Sequence, residues 1–106
     1  MDNEKFLELI DTNFGVHKHN DCVDLETWTT GGVNMHITIH IDSEQTYLEQ
    51  FKEYVLDFEV DEQIDLHREG EAYKNTFTIR QSLKDFESYE ELLQSILSRL
   101  EEHINQ

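Results

Sequence analysis

The stretch TWTTGGVNMHITIHI, residues 27–41, decides the fold because it determines how two predicted strands pair. Its second half alternates apolar and polar residues, which is typical of a strand with one buried face. A two-residue turn at the Gly31-Gly32 pair would place Glu26 opposite Ile37 and so bring acids onto the apolar face. The pattern therefore argues against the tight hairpin that a Gly-Gly pair usually indicates.

A three-residue loop at residues 30–32 joins the two apolar faces instead. One of its glycines can take the left-handed conformation that such loops favour. The predicted opposite pairs on the apolar face are Val23 with Ile39, Leu25 with Ile37 and Thr27 with Met35. The outward face then carries Cys22, Asp24, Glu26 and Trp28 on one strand and Asn34, His36, Thr38 and His40 on the next.

Two amphipathic segments flank the hairpin and are predicted as helices. The first has Asp2 or Asn3 as its N-cap and Gly15 as its C-terminal stop, and residues 16–21 then form a connector. The second helix has Asp42 or Ser43 as its N-cap. The apolar positions at helical spacing are Phe6, Ile10 and Phe14 in the first segment and Tyr47, Phe51, Tyr54, Val55 and Phe58 in the second.

A third helix begins at a capping box formed by Ser88 and Glu91. Before it, residues 73–79 (YKNTFTI) alternate and are predicted as a third strand, with Tyr73, Phe77 and Ile79 on one side. The architecture predicted for residues 1–106 is one α+β domain, α-β-β-α-(β)-α, with a small antiparallel sheet packed on one side by helices. The apolar face of the last helix comprises Tyr89, Leu92, Leu93, Ile96, Leu97, Leu100 and Ile104.

The composition is strongly acidic, since 24 Asp+Glu against 8 Lys+Arg give a formal net charge of −16. This balance argues against direct binding to nucleic acid or to anionic membranes, because phosphate contact needs Lys and Arg. It favours a basic protein partner. The one cysteine cannot form an internal disulfide, and the acidic N-terminus does not resemble a signal peptide, so a cytoplasmic location is predicted.

Histidines and the cysteine near the hairpin are the candidates for metal binding or catalysis. His36 and His40 share one face of a strand but lie about 13 Å apart at about 3.3 Å per residue, which is too far to share a zinc ion. A site of Cys22, His40 and either His17 or His19 stays open as an alternative. The sequence has no phosphate loop, dinucleotide fingerprint or serine elbow. We therefore predict no metal, no cofactor and no enzymatic activity.

A dense run of acids after the second predicted helix is the main candidate site. Apolar residues are interleaved with it, which indicates a folded segment, and carboxylates on a rigid scaffold can replace DNA phosphates in a basic channel. The alternative is a solvated face that serves solubility. The residues of this acidic ribbon are Asp57, Glu59, Asp61, Glu62, Asp65, Glu69 and Glu71, and a further acidic patch is predicted at Asp85, Glu87, Glu90 and Glu91.

Trp28 is the second candidate for partner binding. In the predicted register it points away from the apolar face, beside the glycine loop. Tryptophan is common among the residues that dominate binding energy at protein interfaces. The alternative is that the amino-terminal helix or another subunit covers the ring.

Three stretches of the chain resemble a small domain carried by bacterial mobile elements and phages. They are ETWTTGGVNMHITI (26–39), DFEVDEQIDLHREG (57–70) and FTIRQSLKDFESY (77–89). No activity is attached to those motifs, so the resemblance assigns no functional residue. The size, acidity and mixed α/β composition are similar to anti-CRISPR and antirestriction proteins, many of which are acidic mimics of DNA. Together the two likenesses imply a mobile-element protein that blocks a host nucleic-acid-handling enzyme.

The sequence thus predicts an acidic, non-catalytic inhibitor that binds the basic nucleic-acid channel of a nuclease such as a CRISPR effector. The acidic ribbon would substitute for phosphates, and Trp28 would anchor the contact. The alternative is an acidic accessory domain of a mobile element, or a small homo-oligomer, that binds another protein through the hairpin without mimicking nucleic acid.

Overall fold

The computed structural model describes residues 1–58 and 76–104, with side chains in the second range described from residue 84 onward. Three strands form one antiparallel sheet in the order β1-β2-β3, and the described helices pack on its apolar face. The predicted α+β class is therefore confirmed. In chain order the elements are α1 (Asn3–Ile10), β1 (Gly15–Lys18), β2 (Cys22–Trp28), β3 (Asn34–His40), α2 (Tyr47–Asp57) and α3 (Thr76–Ile104).

The β2–β3 hairpin has the predicted register and the predicted three-residue loop. The Thr29 N–H donates to the Val33 carbonyl over 2.9 Å, and the Gly32 N–H donates back to the Thr29 carbonyl over 3.0 Å. Gly32 has a φ of 86°, the left-handed conformation expected of a glycine in such a loop. The observed opposite pairs on the apolar face are Val23 with Ile39, Leu25 with Ile37 and Thr27 with Met35.

The connector predicted at residues 16–21 is wrong, because its first half, residues 16–18, belongs to β1. Gly15–Lys18 pairs antiparallel with β2, with Val16 opposite Leu25. The predicted stop at Gly15 is also wrong, because α1 already ends at Ile10. β1 is held to the sheet by backbone hydrogen bonds and is only four residues long. A strand of four residues is too short for the alternation of its side chains to predict it from the sequence.

Asp2 is the N-cap of α1, which confirms one of the two predicted caps. Its Oδ1 accepts a hydrogen bond from the Lys5 N–H over 2.7 Å. The other candidate, Asn3, has a different role, because its Oδ1 accepts from the Tyr47 N–H over 2.9 Å. Asn3 therefore satisfies the first amide of α2 from a neighbouring helix and ties the two helix starts together.

The predicted start of α2 at Asp42 or Ser43 is wrong. The helix begins at Tyr47, and Thr46 is its N-cap, accepting from the Glu49 N–H over 3.1 Å. The Ser43 hydroxyl instead accepts from a backbone N–H two residues ahead, at Gln45, in a local turn. Short polar side chains favour turns and caps alike, so a cluster of them does not reveal which one caps the helix.

The predicted start of the last helix at Ser88 and Glu91 and the predicted strand at residues 73–79 are both wrong. α3 begins at Thr76, so the capping-box residues lie inside a continuous helix that includes Phe77 and Ile79. Tyr73 lies outside the described residues. Phe86, two residues before the predicted cap, is only 5% exposed. Its packing against the core extends the helix past a position where local capping chemistry would permit a start.

The apolar faces predicted for the helices form the core. In α1, Phe6 and Ile10 are fully buried, and in α2 the same holds for Phe51. None of the described helices combines the length and the apolar character needed to cross a membrane. On α3 the buried residues of the predicted face are Tyr89, Leu93, Ile96, Leu97 and Leu100; Leu92 is half-buried, and Ile104 is 48% exposed.

The hairpin tip packs against α3 through Gly31 and Asp85. Asp85 is 5% exposed, and a Cβ added at Gly31 would lie 1.8 Å from its Oδ2. A side chain at position 31 therefore requires the buried Asp85 carboxylate to move, whereas at position 32 there is open space and the left-handed backbone conformation is what favours glycine.

Gly31→Ala should lower the free energy of unfolding by about 2–3 kcal/mol, because the new methyl group overlaps a buried carboxylate. Gly32→Ala should cost about 1–2 kcal/mol, through backbone strain alone. Denaturant unfolding of both variants, alone and combined with Asp85→Ala, separates the two causes. The Gly31 penalty should fall sharply in the Asp85→Ala background while the Gly32 penalty stays the same. Equal penalties in both backgrounds would contradict the close approach.

An aromatic cluster joins α2 to α3. Phe58 packs edge-on against Tyr89 with ring centroids 5.4 Å apart, and Tyr54 contacts Phe58 at 6.0 Å. The Tyr89 hydroxyl is buried with no hydrogen-bond partner in the described chain. Burial, and secondarily the Tyr54 hydroxyl nearby, raises the pKa of Tyr89 far above its ordinary value of 10.0. Burial likewise raises the pKa of Tyr54.

Tyr89→Phe should raise the free energy of unfolding by about 1 kcal/mol at neutral pH, because the buried hydroxyl that it removes forms no hydrogen bond within the described residues. The raised pKa also means that above about pH 10 the unfolded chain loses this proton more readily than the folded chain, so stability falls as pH rises. The variant should flatten that alkaline decline. Urea unfolding between neutral pH and about pH 11 measures both effects, and Tyr47→Phe controls for removing a hydroxyl elsewhere in the core. A Tyr89→Phe curve parallel to wild type would refute this account.

Candidate functional site

The acidic ribbon lies only partly within the described residues. Asp57 is the last residue of α2 and is exposed. Glu49 and Glu53 precede it at four-residue spacing and are also exposed, so α2 carries a row of carboxylates about 6 Å apart along its axis. Phe51 and Val55 anchor α2 in the core, which holds this α2 acid row in a fixed position. The other ribbon residues, Glu59, Asp61, Glu62, Asp65, Glu69 and Glu71, lie outside the described residues.

The acidic patch predicted on the last helix is divided by burial. Glu87 and Glu91 are exposed and Glu90 is half-buried. Asp85 is buried beside the hairpin tip, so its assignment to a surface patch is wrong. The prediction assumed that all four acids lie at the surface, whereas the packing of α3 buries the Asp85 carboxylate.

Several cations of the described chain contact neighbouring polar groups. These contacts are solvent-exposed and so add little to stability, but they place positive charge beside acids of the same molecule and leave the surface field negative. They are Lys5 with Glu8 at 3.7 Å, Lys52 with Glu101 at 3.4 Å, and Arg99, which donates to the Asn13 side chain.

The outward face of the sheet is a surface of carboxylates and imidazoles. His36 lies between two acids, with Nε2 3.5 Å from Glu26 and Nδ1 3.9 Å from Asp24. The Thr38 hydroxyl donates to Asp24 over 3.1 Å, and His17 on β1 lies opposite the same aspartate. Pleating places these side chains on the face opposite the core, so the sheet separates an apolar side from an ionisable one.

Cys22 lies opposite His40, as predicted. Partial burial, followed by the charge of Asp21 and its hydrogen bond to the thiol, raises the pKa of Cys22, with a smaller contribution from Asp24. The thiol is therefore less readily ionised than an ordinary cysteine, which opposes both nucleophilic attack and metal ligation. Among residues 1–58 and 76–104 there is no group of three or more His, Cys, Asp or Glu that could hold a metal ion.

Trp28 ends β2 with 61% of its surface exposed, opposite Asn34. It points outward, as the register predicted, and neither α1 nor any other described element buries the ring. A large apolar side chain this exposed, next to a tight loop, has the geometry of an interface anchor.

Among the described strands β3 lies at the edge of the sheet, and its hydrogen-bonding phase shows which backbone groups point away from β2. The Thr29–Val33 bond and the bond from the Ile41 N–H to the Asp21 carbonyl, 2.9 and 3.1 Å, place the odd-numbered residues of β3 in pairs bonded to β2. Alternation then directs the N–H and C=O of the even-numbered residues away from β2. Those residues are Asn34, His36, Thr38 and His40.

Gln50 of α2 closes one end of this edge. Its Oε1 accepts from the His40 N–H over 2.8 Å, and its Nε2 donates to the His40 carbonyl over 2.9 Å. The side-chain amide thus occupies the place that a neighbouring strand would take. Within the described chain, the outward backbone groups of Asn34, His36 and Thr38 have no such partner, and these residues form the open β3 edge.

A groove of about 490 Å³ lies between α2 and the C-terminal part of β3, where Thr38 and His40 line it. Tyr54 and Phe58 supply aromatic lining, and Glu53 and Asp57 supply carboxylates. Thr38 contributes from the strand side. This α2 groove therefore combines an apolar surface, a negative charge and the backbone groups of Thr38, which have no partner within the described residues.

Two features of this site were not predicted from the sequence. β1 had a weak signal, since Phe14 and Val16 alternate ahead of β2 and both contact the core. The contact between Gln50 and His40 had no signal in the sequence, because a half-buried glutamine on a helix matches no motif for binding a strand edge.

Gln50→Ala should lower the free energy of unfolding by about 1–2 kcal/mol and should release the His40 amide to solvent. In the wild type, hydrogen exchange should be slow at Met35, Ile37, Ile39 and His40 and fast at His36 and Thr38. Residue-resolved exchange by NMR measures the pattern. Gln94→Ala, an exposed site on α3, is the matched control. Slow exchange at His36 and Thr38 in dilute wild-type protein would show that the edge is covered.

Comparison of the chain with protein-family models, with curated proteins and with solved structures gives no match. What the chain binds is therefore inferred from its own residues, distances and charges. The features available for that inference are the α2 acid row, the outward sheet face, Trp28 and the open β3 edge.

Proposed function

We propose that the protein is a non-catalytic inhibitor whose acidic surface occupies the basic nucleic-acid channel of a DNA-handling enzyme, in the manner of an anti-CRISPR or antirestriction protein. It acts in the cytoplasm as a DNA mimic and has no direct affinity for nucleic acid. The observation that carries this proposal is the α2 acid row, Glu49, Glu53 and Asp57, held on a helix packed into the core.

The spacing of this row supports mimicry of a phosphate backbone. Successive carboxylates lie about 6 Å apart along the axis of α2, while one strand of DNA carries a charge about every 3.4 Å of its axis. The row alone therefore supplies about half the charge density of one strand. Its last residue, Asp57, is the first residue of the acidic ribbon, whose other acids continue directly along the chain.

The overall charge supports fast, salt-sensitive association with a basic channel. A net charge of −16 on 106 residues repels nucleic acid and attracts a basic surface over several ångströms. Complementary charge of this kind mainly raises the association rate, and salt screens it with a Debye length of about 8 Å at physiological ionic strength.

Charge reversal across the acidic ribbon, Asp57 through Glu71, should weaken binding to a basic DNA-handling enzyme by about 10- to 100-fold at physiological salt. The chain is immobilised, a bacterial lysate is passed over it, and the retained enzymes are identified, purified and tested for competition with their DNA. A control reverses the same number of exposed acids elsewhere: Glu4, Glu8, Asp11, Asp21, Asp42, Glu44 and Glu102. Binding that survives reversal of the ribbon, or that DNA does not displace, would refute the proposal.

The second candidate function is an acidic accessory domain or homo-oligomer of a mobile element that binds protein through the hairpin. The observation in its favour is Trp28, 61% exposed at the end of β2. Apolar anchoring of this kind resists salt, unlike charge complementarity. In the same experiment, retention or self-association that persists at high salt and disappears in Trp28→Ala would favour this second candidate.

A further inference from the structure

We propose that the open β3 edge binds an extended, basic segment of a partner protein as an added strand, and that the α2 groove receives the side chains of that segment. This inference rests on the proposed function for one property only, that the partner is basic. It adds where the partner binds and in what conformation.

The backbone of β3 supplies the first half of the site. Asn34, His36 and Thr38 direct their N–H and C=O groups outward with no partner in the described chain. Alternate residues of a strand repeat at about 6.6–6.8 Å, so an extended peptide of about five residues can pair with all of them. The Gln50 amide, already bonded to His40, ends the edge and so fixes where the added strand stops.

The α2 groove supplies the second half. Side chains of an added strand alternate between the two faces of the sheet, so every second one points toward α2. There the rings of Tyr54 and Phe58 can contact the aliphatic stem of a Lys or Arg, while Glu53 and Asp57 meet its charged end. The groove therefore matches a long cationic side chain better than a short or acidic one.

The outward face of the sheet has the same preference. The remaining side chains of the added strand would lie beside His36 and Thr38 of β3, and the carboxylates of Asp24 and Glu26 stand on the next strand. Strands are about 4.8 Å apart, so those acids lie within reach of an extended Lys or Arg. Both faces of the added strand would thus meet negative charge.

A second copy of the chain fits the same edge poorly. Pairing β3 with β3 would bring two α2 grooves together, each with its own Glu53 and Asp57. It would also bring together two molecules with a net charge of −16 each. Like charges at such distances oppose association. The edge therefore selects a basic partner strand over a second copy of itself.

The test uses the full chain and a synthetic probe, a fluorescent peptide of about eight residues in which Lys alternates with Val and Thr. Three kinds of control are matched to it: two N-methylated versions of the same peptide, each methylated at one of the two alternate sets of backbone amides; the same sequence with Glu in place of Lys; and the same peptide at raised salt. Protein variants are Glu53→Gln with Asp57→Asn in the groove, and Glu44→Gln with Glu102→Gln outside both the groove and the α2 acid row.

The basic probe should bind, and hydrogen exchange at His36 and Thr38 should slow when it does. N-methylation of the face that pairs with β3, or the groove variant, should weaken binding about tenfold or more. The control variant should weaken it less. The acidic probe should not bind.

Three results would overturn the proposal. Equal binding of the plain and both N-methylated probes would show attraction by charge alone; the edge would be excluded while a basic partner remained supported. Slow exchange at His36 and Thr38 without any probe would show that the edge is already occupied. If the slow exchange depends on protein concentration, the occupant is a second copy; if it does not, the occupant is part of the same chain. Failure of every basic probe and of every basic protein at low salt would remove the proposed function as well.

Discussion

The register of the β2–β3 hairpin is the constraint on which the rest of the structure depends. The Thr29–Val33 backbone bond and the left-handed Gly32 close the loop at three residues, and this loop length places one apolar row of each strand on the same face. A shift by one residue would move the acids of β2 to the core side. The register also determines the hydrogen-bonding phase of β3, and thereby which of its backbone groups point away from β2. Core formation and the exposed edge are thus two consequences of one loop.

Helices on one side of this sheet make the molecule asymmetric. α1, α2 and α3 share the core with the apolar rows of β2 and β3, so the polar rows have no described cover. The acids and histidines of those rows contact one another across strands, as His36 does with Asp24 and Glu26. A surface of this kind is stable because its charges stay hydrated, and it is available to a partner for the same reason.

Side-chain pattern predicted the parts of this fold that depend on burial, and failed for the parts that depend on backbone pairing or on distant packing. Register, apolar faces and the Asp2 cap follow from local residues. β1 does not follow from local residues, because a short ladder of backbone hydrogen bonds, and not a side-chain pattern, joins it to the sheet. The start of α3 at Thr76 does not either, because the burial of Phe86 and Asp85 against the rest of the molecule extends the helix past a local cap. Trp28 was placed correctly because the register alone decides its direction, whereas most of the acidic ribbon, residues 59–71, lies outside the described residues.

The high negative charge limits which strands can pair with the open β3 edge. An unpaired strand edge is a hazard in any protein, because it can pair with the same edge of another molecule and lead to aggregation. Natural proteins limit this with charge near the edge, with bulges or with a covering element. Here Gln50 covers one end, and the carboxylates of Glu53 and Asp57 line the groove next to Thr38. On the proposal above, those carboxylates oppose pairing with a second copy of the chain and favour a strand of opposite charge. The acidity that weakens the compact state by self-repulsion would then also keep the β3 edge, which has no partner strand in the described chain, from homotypic pairing.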